Sequence, residues 1–257
     1  MYFIKNKLFP TPNQLYSELP FFQKISIADL PNSYLALLTE QNGGYLRLNS
    51  LPTSEPTRDG LDSVEFHYLF GLHSESATSI LFQQDDHDKF SLPDYFIFFS
   101  VNGDQLWAFD YSNLKNNEPS IRYIDMDTDQ WLHIADSFEE FLYLLHSAPL
   151  DLNEERTLTR HEANHNFLLA TSAELESLLL RFEDDLDKNW YFTWLLQLAQ
   201  SNNQQLQHLA FSAFETQVLY FHPVLPKNTR ELARVFESLA PSVIDTSELQ
   251  QVLKELR

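Results

Sequence analysis

Residues 92–145 read LPDYFIFFSVNGDQLWAFDYSNLKNNEPSIRYIDMDTDQWLHIADSFEEFLYLL, and in this stretch three strand patterns and a capped helix follow one another. Residues 94–101 are an aromatic and β-branched run of strand length, and Asn102-Gly103 is a dipeptide able to take the positive φ of a tight hairpin turn. Residues 105–111 return as a second strand. Residues 113–119 are polar loop material stopped by Pro119, and residues 120–125 set Ile121 and Tyr123 against Arg122 and Ile124 as a third strand. Residues 127–130 turn the chain and residues 131–134 form a fourth strand. Ser137 followed by Glu140 predicts a capping box, in which each side chain satisfies an amide of the first helical turn. The helix is expected to run to about Ser147 with Phe138, Phe141, Leu142 and Leu145 on one face, and Pro149 closes it.

Towards the N-terminus, Leu30-Pro31-Asn32-Ser33-Tyr34 with Leu37 and Leu38 predicts a helix whose first position is Pro31. Asn42-Gly43-Gly44-Tyr45 ends it, with Gly43 able to adopt the left-handed conformation that satisfies the last carbonyls. In this order and spacing, these residues together with Phe109-Asp110-Tyr111 and the run from Asp136 to Leu142 resemble the SUKH superfamily, the yeast cell-wall-regulator-like domains that bacteria use widely as immunity proteins against polymorphic toxins. The resemblance covers about residues 13–147. Members usually carry more glycine where this chain has Val101-Asn102-Gly103-Asp104. The resemblance implies an α+β fold, a mainly antiparallel sheet flanked by helices.

After Pro149 the pattern changes to amphipathic helix. Thr171 to Glu174 is a second capping box, after which Leu175, Leu178, Leu179, Phe182 and Leu186 keep helical spacing. Residues 190–199, 204–220, 229–239 and 247–256 continue the pattern, so a bundle of about five helices is expected, with Trp190, Trp194, Phe211, Phe214 and Phe221 in its core. The expected organisation is therefore a SUKH-like α+β domain over residues 1–149 and an α-helical domain of unassigned role over 150–257.

The chain has 257 residues and no cysteine, which excludes disulfides, a thiol nucleophile and thiolate metal sites and suits a reducing cytoplasm. Its longest apolar run, residues 95–101, is too short to span a bilayer, and residues 1–10 lack the length of a secretory core; a cytoplasmic location is expected. Lys and Arg total 17 against 37 Asp and Glu, a formal charge of -20. Residues 1–149 hold 8 basic and 21 acidic side chains, leaving 9 and 16 for the remainder, so the excess concentrates in the SUKH-like part. Such a field repels nucleic acid and anionic membranes and attracts basic partners, although acidity also serves solubility alone.

Catalytic chemistry is poorly supported. Five glycines, at 43, 44, 60, 71 and 103, assemble neither a phosphate-binding loop nor a dinucleotide fingerprint. His161-Glu162-Ala163-Asn164-His165 is literally H-E-x-x-H, the zinc peptidase pattern, with Glu162 as base and Glu183 as a conceivable third ligand. Yet Arg160, Asn164 and Asn166 surround it where such helices are apolar, and the sequence reading is an accidental, solvent-exposed match in a polar linker. Asp125, Asp127, Asp129 and Asp136 have the spacing of a calcium loop, but Gln130 replaces the required glycine, so a solvated turn is expected. Asp85-Asp86-His87-Asp88 reads as a solvated loop. No cofactor and no metal site are expected.

By resemblance, the expected function is binding without catalysis: an immunity protein that covers the active surface of a cognate toxin. The partner would be a basic toxin domain, met by Asp85, Asp86, Asp88, Asp104, Asp125, Asp127, Asp129 and Trp131, with acids steering association and aromatic side chains supplying central contacts. A regulatory or scaffold interaction module is the first alternative. A zinc peptidase is the second.

Overall fold

The computed structural model describes residues 2–12, 15, 29–73, 78–81, 91–150, 156–239 and 241–256. The chain divides into two compact units, the first comprising residues 1–149 with 157–168 and the second residues 150–156 with 169–257.

The first unit is α+β. Helix α1 (Asn32–Glu40) buries Tyr34, Leu37 and Leu38, and Pro31 stands at its N-cap rather than inside its first turn. It is followed by four short strands, β1 (Gly44–Tyr45), β2 (Ser50–Pro52), β3 (Ser63–Glu65) and β4 (Tyr68–Leu69), which pair antiparallel as β1 with β4 and β2 with β3. A four-stranded antiparallel meander follows in sequence order: β5 (Phe96–Asn102), β6 (Gln105–Lys115), β7 (Glu118–Asp125) and β8 (Gln130–Ala135). Helix α2 (Phe138–Leu144) closes this succession.

Both faces of the meander are buried, which is why β5 reads as a continuous apolar run rather than an alternation. Ile97, Phe99, Trp107, Phe109, Ile121 and Tyr123 join the main core with Tyr34 of α1 and Phe138 and Phe141 of α2. Phe96, Phe98, Leu106, Ala108 and Ile124 form a second cluster on the other face. A bulge between Phe98 and Ser100 shifts the register, so the side chains beyond it exchange faces. Gly43 takes φ +90 as its turn requires, and an added Cβ would stand 2.7 Å from the backbone nitrogen of Gly71. Buried Asn42 fixes the same turn, donating to the Leu72 carbonyl (3.1 Å) and accepting its N–H (2.7 Å).

Three local expectations are corrected. Residues 113–119 are not a loop but the ends of β6 and β7, joined through Asn116 and Asn117 at φ 54 and 64. Asparagine tolerates the left-handed conformation that a two-residue hairpin needs, and Pro119, lacking an N–H, sits where the ladder register is already broken. Helix α2 stops at Leu144, well short of Ser147, because His146 instead exchanges both backbone hydrogen bonds with Ser50 (3.0 Å each). In its cap, Ser137 accepts the Glu140 N–H (3.2 Å), but the Glu140 carboxylate reaches back to the N–H of Asp136 (2.7 Å).

The second unit is helical: α3 (Arg160–Leu169) leads into it, and α4 (Ser172–Arg181), α5 (Lys188–Ala199), α6 (Gln204–Tyr220), α7 (Thr229–Glu237) and α8 (Thr246–Glu255) build it. The Thr171–Glu174 capping box forms as expected. Trp194, Phe211 and Phe214 are buried, whereas Trp190 and Phe221 are half-buried. Tyr191 and Phe192 fill the core beside them, and Phe236 packs on Phe211 (5.4 Å) and Phe214 (5.1 Å). Nearly buried Lys188 crosses the ring of Phe221 at 4.0 Å and donates to the Glu183 carbonyl; desolvation lowers its pKa against the opposing pull of Asp184, Asp185 and Glu183. No helix among the described residues is long and apolar enough to cross a membrane.

Candidate partner-binding surface

Three turns meet at one end of the meander: those between β5 and β6 and between β7 and β8, and the turn at residues 57–60, whose Arg58 reaches Asp125 and Asp127. The β5–β6 turn presents Gly103 at φ +65 and Asp104, whose carbonyl accepts the Met126 N–H (2.9 Å), placing it beside the β7–β8 turn. Asp125, expected as a contact, is fully buried and builds that turn. Its Oδ1 accepts the N–H groups of Asp127 (3.0 Å) and Thr128 (3.3 Å), while Oδ2 takes the Tyr123 hydroxyl (3.4 Å) and lies 3.5 Å from Arg58 Nε. A carboxylate is used here because it alone can accept so many donors from a turn and still balance a guanidinium.

Asp127 and Asp129 remain at the surface. Asp127 meets Arg58 Nη1 at 2.9 Å, and Asp129, at φ 53, accepts the Trp131 indole N–H (3.0 Å). This fixes the orientation of Trp131, which is 38% exposed and rests on Phe96 (5.6 Å between ring centres). Tyr95, 42% exposed, lies 4.7 Å from the same Phe96 ring but just before β5 begins, away from the turns, where its carbonyl accepts the Tyr111 N–H (3.0 Å). Sequence reasoning did not select Tyr95, because the apolar run placed it inside the strand, whereas β5 begins one residue later at Phe96. An open hollow of about 370 Å³ lies between residues 55–58 and 128–131. Gln130 ties its two walls by donating to the Pro56 carbonyl (2.9 Å).

Asp136 is separated from this end by the whole of β8 and pairs with Lys115 (2.8 Å) and His133 (3.1 Å), so the calcium-loop spacing gathers no ligand set. Lys115 is the main cause holding the Asp136 carboxyl below its ordinary range. Asp85, Asp86 and Asp88 lie outside the described residues.

The H-E-x-x-H segment is placed quite differently from its expectation. It forms α3, packed within the first unit, and Glu162, Ala163, Asn164, His165, Asn166 and Phe167 are all buried. Glu162 is the far half of a capping box: Thr159 Oγ accepts the Glu162 N–H (3.2 Å) and the Glu162 carboxylate accepts the Thr159 N–H (2.6 Å). The T-x-x-E signal was present at Thr159 but masked by the more conspicuous motif that overlaps it. Thr159 also donates its hydroxyl to Asn102 at the β5–β6 turn.

The two imidazoles go to different partners. His161 Nδ1 faces the Tyr45 hydroxyl (3.2 Å), which in turn accepts from Asn164 (3.0 Å). His165 Nε2 meets the Leu46 carbonyl at 2.6 Å, and its Nδ1 faces Nδ1 of His67 at 3.2 Å. Burial pushes His161 down and His165 down to about 4, so both are neutral imidazoles near neutrality. Glu183 belongs to the second unit. Among the described residues no three histidine or carboxylate side chains gather to hold a metal.

The succession from α1 through the meander to α2 is the part that comparison with known proteins recognises. Residues 21–144 match the SMI1 / KNR4 family (SUKH-1). This stretch is a SUKH domain. No curated protein and no solved structure matches the chain. The SUKH domain supports a module of immunity or regulatory type in general.

Proposed function

We propose that the chain is a non-catalytic immunity protein, cytoplasmic in location, that neutralises a cognate toxin by laying the meander face that carries Trp131 and Tyr95 over the toxin's active surface. The observation that carries this reading is the exposed pair Tyr95 and Trp131, joined through Phe96, with Glu55, Asp127 and Asp129 at the Trp131 end. An aromatic strip held rigid by Phe96 and by the Asp129–indole bond offers contact area at little entropic cost, and the acids beside it favour a basic partner. Steric cover suffices for inhibition, so no side chain need act on the partner's substrate.

The test is co-expression with toxin domains found beside this gene in its own host. Growth should be rescued by the intact chain and lost with the double variant Tyr95→Ala, Trp131→Ala, provided that variant folds by circular dichroism. Rescue by the double variant would move the interface elsewhere, and binding without rescue would favour the regulatory or scaffold module.

A further inference from the structure

Within the first unit, His67 and His165 meet nitrogen to nitrogen, Nδ1 to Nδ1 at 3.2 Å, with ring centres 5.5 Å apart and planes at 88°. Both side chains are buried. The Leu46 carbonyl can only accept, so His165 Nε2 carries the hydrogen and its Nδ1, in the neutral ring, presents a lone pair. His67 Nε2 lies 3.5 Å from a Glu65 carboxylate oxygen and 3.7 Å from one of Glu162. Two carboxylates facing Nε2 at ion-pair distance favour a hydrogen there over a lone pair. Were His67 neutral, its Nδ1 would then aim a second lone pair at the first across a buried gap.

With hydrogen on both Nε2 atoms, the facing Nδ1 atoms need a second proton or a metal ion between them; a neutral His67 protonated on Nδ1 would instead turn the Nε2 lone pair towards two carboxylates. A metal ion about 2.0–2.1 Å from each would bend the nitrogen–metal–nitrogen line and draw the ring centres together. The 5.5 Å separation is instead what two rings leave when they point straight at each other across 3.2 Å, the geometry of a single hydrogen bond. We propose that His67 is an imidazolium, donating from Nδ1 to His165 and paired through Nε2 with Glu162 and Glu65, and that this one buried proton is the clasp fastening helix α3 to the β1–β4 region in a pH-dependent manner.

The groups facing the clasp among the described residues are Glu65 from β3, Glu162, His161 and His165 from α3, and Tyr45 and Tyr68 from β1 and β4. Burial raises the Tyr45 pKa, so it stays a hydroxyl throughout. The two carboxylates favour the charge on His67, and the lowered affinity of His165 for protons keeps it an acceptor. The clasp is thus closed below the pH at which His67 loses its proton and opens as pH rises through it. On the acid side, His161 and His165 work the other way, since the unfolded chain takes up protons that their folded sites refuse.

The test uses the full chain. Imidazole nitrogen NMR should show both nitrogens of His67 protonated at about pH 7.5, where a free imidazole is neutral, and His165 neutral with hydrogen on Nε2. Hydrogen-exchange protection across α3, corrected for the intrinsic rate, should fall about tenfold per pH unit once His67 deprotonates. Glu162→Gln keeps an acceptor for the Thr159 N–H but removes the charge. It should move the His67 titration down by about one unit or more and cut α3 protection about tenfold at pH 7.5. A neutral His67 at that pH overturns the proposal even if no variant folds, as does α3 protection that stays flat while His67 titrates, or stoichiometric metal found between the two rings.

Discussion

At Asp110 a carboxylate is 4% exposed, and burial by itself would raise its pKa. Hydrogen bonds from Ser112 and the guanidinium of Arg122, whose Nε stands at 3.0 Å, outweigh that effect and leave the pKa lowered. A lowered carboxylate contributes stability that is present above its unfolded value, about 3.9, and is lost as pH falls through the folded one. Arg122→Ala should therefore raise the Asp110 titration, followed by carboxyl-carbon NMR, and cost about 1–3 kcal/mol in urea unfolding at neutral pH. A variant as stable as the parent would show that the pair is idle. The same scale governs the interface: Trp131→Ala should weaken toxin binding by about 1–2 kcal/mol or more while leaving the melting temperature nearly unchanged. Titration calorimetry beside a thermal melt separates the two effects. For the histidines of α3, each nitrogen given a partner is one withheld from zinc. Dialysed protein should accordingly hold far less than one zinc per chain by elemental analysis.

Among the elements, those readable in the sequence were the ones whose signals are local. The hairpin after β5, the Ser137 cap and the Thr171 box each rest on neighbouring residues and stand in the structure, although the turn falls one residue later, at Gly103-Asp104, and Ser137 caps its helix without the reciprocal bond from Glu140. The ends of β6 and of α2 were missed because their determinants lie elsewhere: two asparagines accepting left-handed geometry, and a strand that captures His146. Helix α3 was misread for a different reason. Its buried face is polar, so apolar periodicity records nothing, and its partners on β1 and β4 are invisible until the chain has folded. At the interface, the acids and Trp131 were legible as types, but only the structure shows Asp125 consumed by its own turn. The burial of α3 has a measurable consequence. A fragment ending at residue 149 should be several kcal/mol less stable to urea than one ending at residue 169, because it leaves Tyr45, His67 and the Leu46 carbonyl without their α3 partners and withdraws Phe167 from the packing. Equal midpoints would mean that α3 merely rests on the surface.

For the whole molecule, the charge of -20 acts at long range and the meander face carrying Trp131 and Tyr95 at contact. If the acids steer a basic partner, raising salt from about 50 to 500 mM should slow association by about tenfold or more and alter dissociation little. Stopped-flow measurement of both rates decides it, and an association rate indifferent to salt would remove steering while leaving the binding role intact. The backbone exchange between Ser50 and His146 carries one more consequence, concerning the order in which this protein is made. Asn49 accepts the N–H of Ala148, 99 residues downstream, and the Leu46 carbonyl waits for His165, 119 residues on. Strands that leave the ribosome early thus have their closing partners synthesised last. The growing chain must carry β1 and β2 unfinished through most of its first unit's translation, and only when α3 emerges can the domain shut.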